Sequence, residues 1–210
     1  MSTSTPAPRI TVLGIGNLLW ADEGFGVRCV EALQQRYEFA DNVTLIDGGT
    51  QGLYLIQHVQ QADYLLIFDA VDYSLAPGTL KFVADDEVPR FLGVKKLSLH
   101  QTGFQEVLML AQLTGHYPAR VLLMGCQPER MDDYGGSLRP CVKAALEQVI
   151  DAALEVLADW GGEPRPRTSA LPDDEAVTLL HLELQRYENE RPSEAVACRV
   201  GDERILARRN

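Results

Sequence analysis

Three side chains far apart in this sequence are of the types a hydrolytic or metal-binding site needs: Glu23, Asp69 and His100. Asp69 is the most telling. It closes the run Tyr64-Leu65-Leu66-Ile67-Phe68, and an acid ending such an apolar stretch is costly unless it is paired, hydrogen-bonded or bound to a cation. Glu23 sits in a glycine-punctuated stretch, Gly14-Ile15-Gly16-Asn17 through Asp22-Glu23 to Gly26-Val27, where an acid could equally favour the dipole at a helix start. His100, in Ser98-Leu99-His100-Gln101, could equally be a cap or a satisfied polar group. If they met in the fold, two carboxylates and one imidazole would make a mixed oxygen and nitrogen set suited to a borderline divalent metal, without selecting which. A site with three protein ligands stays open to substrate.

The glycine stretch invites comparison with a dinucleotide fingerprint, because Gly14 and Gly16 begin a G-x-G-x-x-G pattern and Asp47 ends the next strand as a ribose-binding acid would. Leu19 stands where the third glycine belongs. Asp22 and Glu23 would also place negative charge beside a pyrophosphate, so this loop suits a cation better. In Asp47-Gly48-Gly49-Thr50 two glycines let backbone approach a peptide closely, and the same four residues could serve as a tight turn with Thr50 as helix N-cap.

The elements that must position these residues alternate. Arg9 to Leu13, Tyr64 to Phe68 and Arg120 to Gly125 read as buried strands and Val43 to Ile46 as a further strand. Gly26 to Gln35, Gln51 to Gln60, Gln101 to Leu113 and Leu138 to Leu157 carry apolar residues at helical spacing. Pro77-Gly78 turns into Thr79 to Val83, whose stronger alternation and short connection predict a strand at or near a sheet edge. The expected fold is a three-layer α/β/α sandwich: a mostly parallel, twisted five-stranded sheet with helices on both faces. Glu23, Asp69 and His100 then all fall at the carboxyl edge of the strands, where ligand sites of open α/β sheets are built.

With these motifs in hand, the chain resembles the hydrogenase maturation endopeptidases, which trim the large subunit of nickel–iron hydrogenases. The resemblance rests on Gly14-x-Gly16-Asn17 with Asp22-Glu23-x-x-Gly26-Val27, on Asp47-Gly48-Gly49-Thr50, on Asp69-Ala70 after a hydrophobic strand, on Pro77-Gly78-Thr79 and on Ser98-Leu99-His100-Gln101. It implies that Glu23, Asp69 and His100 coordinate nickel and are the catalytic set, and that Asp47, Gly48, Gly49 and Thr50 recognise substrate. It implies an aspartic-type or metal-dependent endopeptidase that removes the C-terminal extension of a nickel-loaded large-subunit precursor, the nickel being carried by the precursor. The alternative from another class is a non-catalytic nickel chaperone or checkpoint protein of hydrogenase assembly, which would use the same open triad.

Composition narrows the partners. A formal net charge of −11 over 210 residues opposes general binding to nucleic acid or anionic membranes. No apolar run approaches a membrane span and Met1 to Pro8 lacks a hydrophobic signal core, so a cytoplasmic location is expected. Cys29, Cys126, Cys141 and Cys198 form no C-x-x-C pair and are expected to be reduced; only a neighbouring base would make Cys126 a nucleophile. His58, His116 and His181 are expected to be solvated or structural. A proline- and glycine-rich run from Gly161 marks a boundary between a peptidase domain, 1–160, and a C-terminal extension, 161–210. Within that extension Asp173 to Gln185 has helical spacing, while Ala195 to Val200 and Arg204 to Ala207 could pair as a small hairpin.

Overall fold

The protein was analysed as a computed structural model, which describes residues 6–89, 99–179 and 182–190, with the side chains of 99–102 excepted. The candidate hairpin and His181 lie outside the described residues.

In chain order the elements are β1 (Ile10–Ile15), a 3₁₀ turn (Ala21–Gly24), α1 (Phe25–Arg36), β2 (Tyr37–Glu38), β3 (Val43–Gly49), a second 3₁₀ turn (Gly52–Leu55), α2 (Ile56–Gln61), β4 (Tyr64–Ala70), β5 (Leu80–Ala84), α3 (Leu99–Leu113), β6 (Arg120–Cys126), α4 (Pro140–Asp159), β7 (Arg165–Pro166), a third 3₁₀ turn (Asp173–Glu175) and α5 (Leu184–Glu190). Five strands form one sheet in the order β3-β1-β4-β6-β5; β1, β3, β4 and β6 run parallel, and β5 is antiparallel at the edge. This is the expected mostly parallel sheet, with the alternating strand at its rim.

Strand alternation divides the core in two. Val12, Leu66, Phe68 and Met124 face α1 and α4, packing against Phe25, Val30, Val149 and Ala153. Leu13, Leu65, Ile67 and Leu123 face α2 and α3, packing against Val59, Phe104, Val107 and Leu108. Side chains two residues apart share a face, so Asp69 follows Leu65 and Ile67 onto the α3 side. That side is the one from which α3 descends with His100 in its first turn.

Several boundaries differ from the sequence reading for identifiable reasons. Asp69 and Asp47 lie within their strands, because pairing continues to Ala70↔Cys126 and Ile15↔Gly49. α4 begins at Pro140, whose fixed φ and missing N–H suit the first turn of a helix. The run from Gly161 does not stay a free linker: Arg165–Pro166 pairs antiparallel with Tyr37–Glu38. Among the described residues between Asp173 and Gln185, Asp173–Glu175 form a 3₁₀ turn and the α-helix starts at Leu184. The backbone between them is spent on α1 instead, with the Val177 N–H donating to Gln34 Oε1 (2.7 Å), the Leu182 carbonyl accepting from Arg28 Nη1 and the Leu184 N–H donating to Glu31 Oε1 (2.8 Å).

Candidate active site at the carboxyl edge of the sheet

Glu23 is placed by its own loop. Gly16 has φ +137°, a left-handed conformation that favours glycine, and a Cβ there would run into the Glu23 carbonyl oxygen. The loop closes on itself: the Glu23 carbonyl accepts from the Asn17 N–H (3.2 Å), and its N–H donates to the Trp20 carbonyl (2.9 Å). The 3₁₀ turn carrying half-buried Glu23 packs against β4, the strand that carries Asp69.

Asp22, which motif reasoning left without a role of its own, anchors this turn. Its carboxylate is fully buried and accepts three backbone hydrogen bonds, from Glu129 (2.9 Å) and Arg130 (2.8 Å) on one oxygen and from Arg139 (2.7 Å) on the other. Burial pushes its carboxyl up, against the pull of those N–H groups. The Trp20 ring meets Tyr134 edge-on at 5.2 Å and the Gly135 N–H donates to the Leu19 carbonyl (2.7 Å), so the loop after β1 and the loop after β6 are stapled together. Since Asp22 precedes Glu23 directly, the staple also fixes where Glu23 emerges. The sequence offered one signal, a second acid in a short loop, but nothing that identified its partners more than a hundred residues away.

Asp69 is 2% exposed. Its register partner on β6 is Gly125, and a Cβ on Gly125 would collide with the Tyr73 hydroxyl. The phenol therefore fills the place of a missing side chain beside Asp69. Burial first, and the charge of Asp69 second, push the Tyr73 hydroxyl well above its ordinary range. The Tyr73 segment is tethered by Gln127, whose Oε1 accepts from the N–H groups of Tyr73 (2.7 Å) and Leu75 (3.2 Å).

His100 is the second residue of α3, at the end of that helix nearest the carboxyl edge; its side chain is outside the described set. The Gly52–Leu55 turn packs on α3, with Gly52 facing Gly103, which brings the Asp47–Thr50 motif to the same edge. Thr50 does not cap that turn: the capping position is Gln51, which makes no side-chain cap bond. Half-buried Asp47 has its carboxyl pushed up by burial, against the Gly49 N–H, and further by nearby Glu31. The Thr178 hydroxyl, buried, faces Asp47 outside normal hydrogen-bond geometry. Among the described residues no three His, Cys, Asp or Glu side chains are grouped to hold a metal ion; that set contains Glu23 and Asp69 but not the His100 imidazole.

The remaining candidates separate from this edge chemically. Cys126 is fully buried and its thiol is pushed up to about 12, chiefly by burial, so it stays protonated at neutral pH and is no nucleophile. Cys29, also buried, is raised for the same first reason. His58 is exposed, and the His116 ring lies 2.8 Å from the Thr114 carbonyl.

Acids presented by strand ends and loops at the carboxyl edge of a mostly parallel sheet lie where α/β proteins build their ligand sites. The family model for hydrogenase maturation protease (HycI) matches residues 27–156. The chain is 64% identical over 197 residues to the hydrogenase expression/formation protein HoxM of Cupriavidus necator, covering 94% of this chain and 98% of that protein. It is 43% identical over 160 residues to the hydrogenase 2 maturation protease of Escherichia coli, covering 76% of this chain and 96% of that protein. The solved structure of the hydrogenase maturating endopeptidase HybD from E. coli superposes with a TM-score of 0.73 at 41% identity, covering 76% of this chain and 98% of that one. This chain belongs to the hydrogenase maturation protease family. Its role is that of an endopeptidase in hydrogenase maturation.

Proposed function

We propose that the protein removes the C-terminal extension of a nickel–iron hydrogenase large-subunit precursor after nickel has been inserted, with Glu23, Asp69 and His100 as the residues that meet the metal and the scissile region. The observation that carries this reading is the placement of Asp69, a buried acid at the end of a central strand, on the face and edge where α3 begins with His100. Nickel is cargo of the substrate, and an oxygen and nitrogen donor set fits a borderline divalent ion. Coordination by an open triad would let the protein distinguish a loaded precursor from an empty one, because only the loaded one gains that binding energy.

The chain's own residues supply the rest. Asp69 and Glu23 can accept a proton from the attacking water, whether that water is also polarised by the metal or activated by the carboxylates alone. Asp47 to Thr50 form the recognition turn, where buried Gly48 makes room for Leu13 of β1 and half-buried Gly49 leaves backbone open to an extended peptide. Among the described residues no helix is long and apolar enough to cross a membrane, and the protein would meet its precursor in the cytoplasm. Residues 1–160 would constitute the peptidase domain and 161–210 an addition to it.

A non-catalytic nickel chaperone would use the same triad without cutting. Incubation with purified precursor followed by mass spectrometry separates the two. A precursor shortened at its carboxyl terminus supports the protease reading, whereas a full-length chain that has only gained or lost metal contradicts it.

A further inference from the structure

α1 is buried in a way that an outer-layer helix should not be. Every residue from Phe25 to Leu33 is buried, including Arg28 at 3% and Glu31 at 4% exposure. A helix lying on a sheet normally keeps one polar face in water. Here the polar face is roofed by the C-terminal extension. Arg28 and Glu31 pair at 2.6 Å, the extension supplies the Leu182 carbonyl and the Leu184 N–H to that pair, and the Tyr187 ring lies under the Arg28 guanidinium at 5.6 Å.

The roof also runs along the functional edge. Arg28 and Glu31 belong to the first two turns of α1, just after Glu23. On one side Thr178 lies buried against Asp47 of the recognition turn. On the other, Glu188 accepts from Ser137 Oγ (2.7 Å), in the loop stapled by Asp22, and from Lys143 Nζ (2.6 Å). The extension thus touches both loops that flank Glu23.

Between the buried Thr178 and the tethered Leu182 stands Leu179, 65% exposed. It is not alone at this edge. Leu19 (38%), Leu53 (53%), Tyr54 (86%), Leu75 (46%) and Tyr134 (49%) are exposed on the loops that follow β1, β3, β4 and β6. Large apolar side chains gathered from separate loops around a site mark a protein-docking surface rather than scattered surface leucines.

We infer that residues 176–179 and 182–188 form a docking element for the protein substrate, with Leu179 as its contact residue; the inference rests on the reading of a hydrogenase precursor as substrate. Exposed Asp173, Asp174 and Glu175 lie just before it, so the complementary surface is apolar with basic neighbours. The comparisons agree with a selective role. The HoxM relative is covered over 94% of this chain, whereas the E. coli protease aligns over 160 residues and accounts for 96% of its own length. The two alignments differ by 37 residues of this chain (197 against 160), a stretch that the segment from Gly161 on is long enough to hold. A docking element on that segment would separate the precursors of the two groups.

The test is a binding titration of the full-length protein against a purified large-subunit precursor that the wild type binds. Leu179→Asp is compared with Leu113→Asp, a more exposed leucine (83%) at the far end of α3, on the opposite edge of the sheet. Neither change should disturb folding. Loss of one apolar anchor and the cost of desolvating a carboxylate against an apolar surface should weaken binding about tenfold for Leu179→Asp, with Leu113→Asp equal to wild type. Wild-type affinity for Leu179→Asp, or equal weakening by Leu113→Asp, overturns the inference. Binding is read whether or not the precursor is cut, so absence of cutting counts against the protease reading alone.

Discussion

Asp22→Ala removes the acceptor of three buried backbone hydrogen bonds at 2.7, 2.8 and 2.9 Å and leaves the N–H groups of Glu129, Arg130 and Arg139 to find other partners. A buried donor left unsatisfied costs about 1–3 kcal/mol. Three such donors would cost more, but two terms offset part of the loss. The ionised carboxylate was itself disfavoured by burial, as the upward push on its carboxyl shows, and water can enter the space the side chain vacates. We expect a net loss of about 2–4 kcal/mol, which for a domain of this size lowers Tm by roughly 5–15 °C. Asp22→Asn should lose less, because the amide oxygen still accepts from one side while its NH₂ meets an N–H on the other. Both variants should cut precursor more slowly than their folded fraction explains, since the staple that sets Glu23 is loosened. Circular dichroism melts and a single-turnover cleavage assay at a temperature where all variants are folded give the two readouts. If Asp22→Ala melts and cuts as the wild type does, the staple is not what positions Glu23.

Asp69→Asn should abolish cleavage while leaving Tm unchanged or higher, because an acid held at a functional edge is commonly a cost to folding; a sharp fall in Tm with normal cutting by the folded fraction would make Asp69 scaffold. Asp47, whose folded-state carboxyl is raised, titrates with a defined sign. The neutral form is favoured by the fold, so the penalty is absent below the unfolded pKa of about 3.9 and grows as pH rises through the folded value. Asp47→Asn should therefore melt above wild type at pH 7 and level with it near pH 3, and an equal offset at both pH values would contradict this. Cys126→Ala should retain cleavage, because the thiol raised to about 12 takes no part as nucleophile; loss of activity with Tm preserved would reopen that role.

What the sequence made legible was whatever is written locally. The continuous apolar run before Asp69 marked a strand covered on both faces, and the stronger alternation of Thr79 to Val83 marked the edge strand. Gly16 and the acids after it marked a loop offering charge. The same local reading could not show that Asp22 faces inward and Glu23 does not, because the three N–H groups that make the difference belong to residues 129 to 139. Arg28 and Glu31 carried the pattern of a solvated helix face, and only a segment about 150 residues further on turns that face into an interior. Tyr73 was invisible for a related reason: its place beside Asp69 depends on Gly125 lacking a side chain on the next strand.

The central claim is that the protein acts on a precursor already carrying nickel. Cleavage of nickel-loaded and nickel-free precursor, side by side and with chelator-treated protein, tests it most directly. If coordination by Glu23, Asp69 and His100 contributes about 3 kcal/mol of recognition, the loaded precursor should be cut at least about a hundredfold more efficiently. Equal cutting of both precursors would contradict the account.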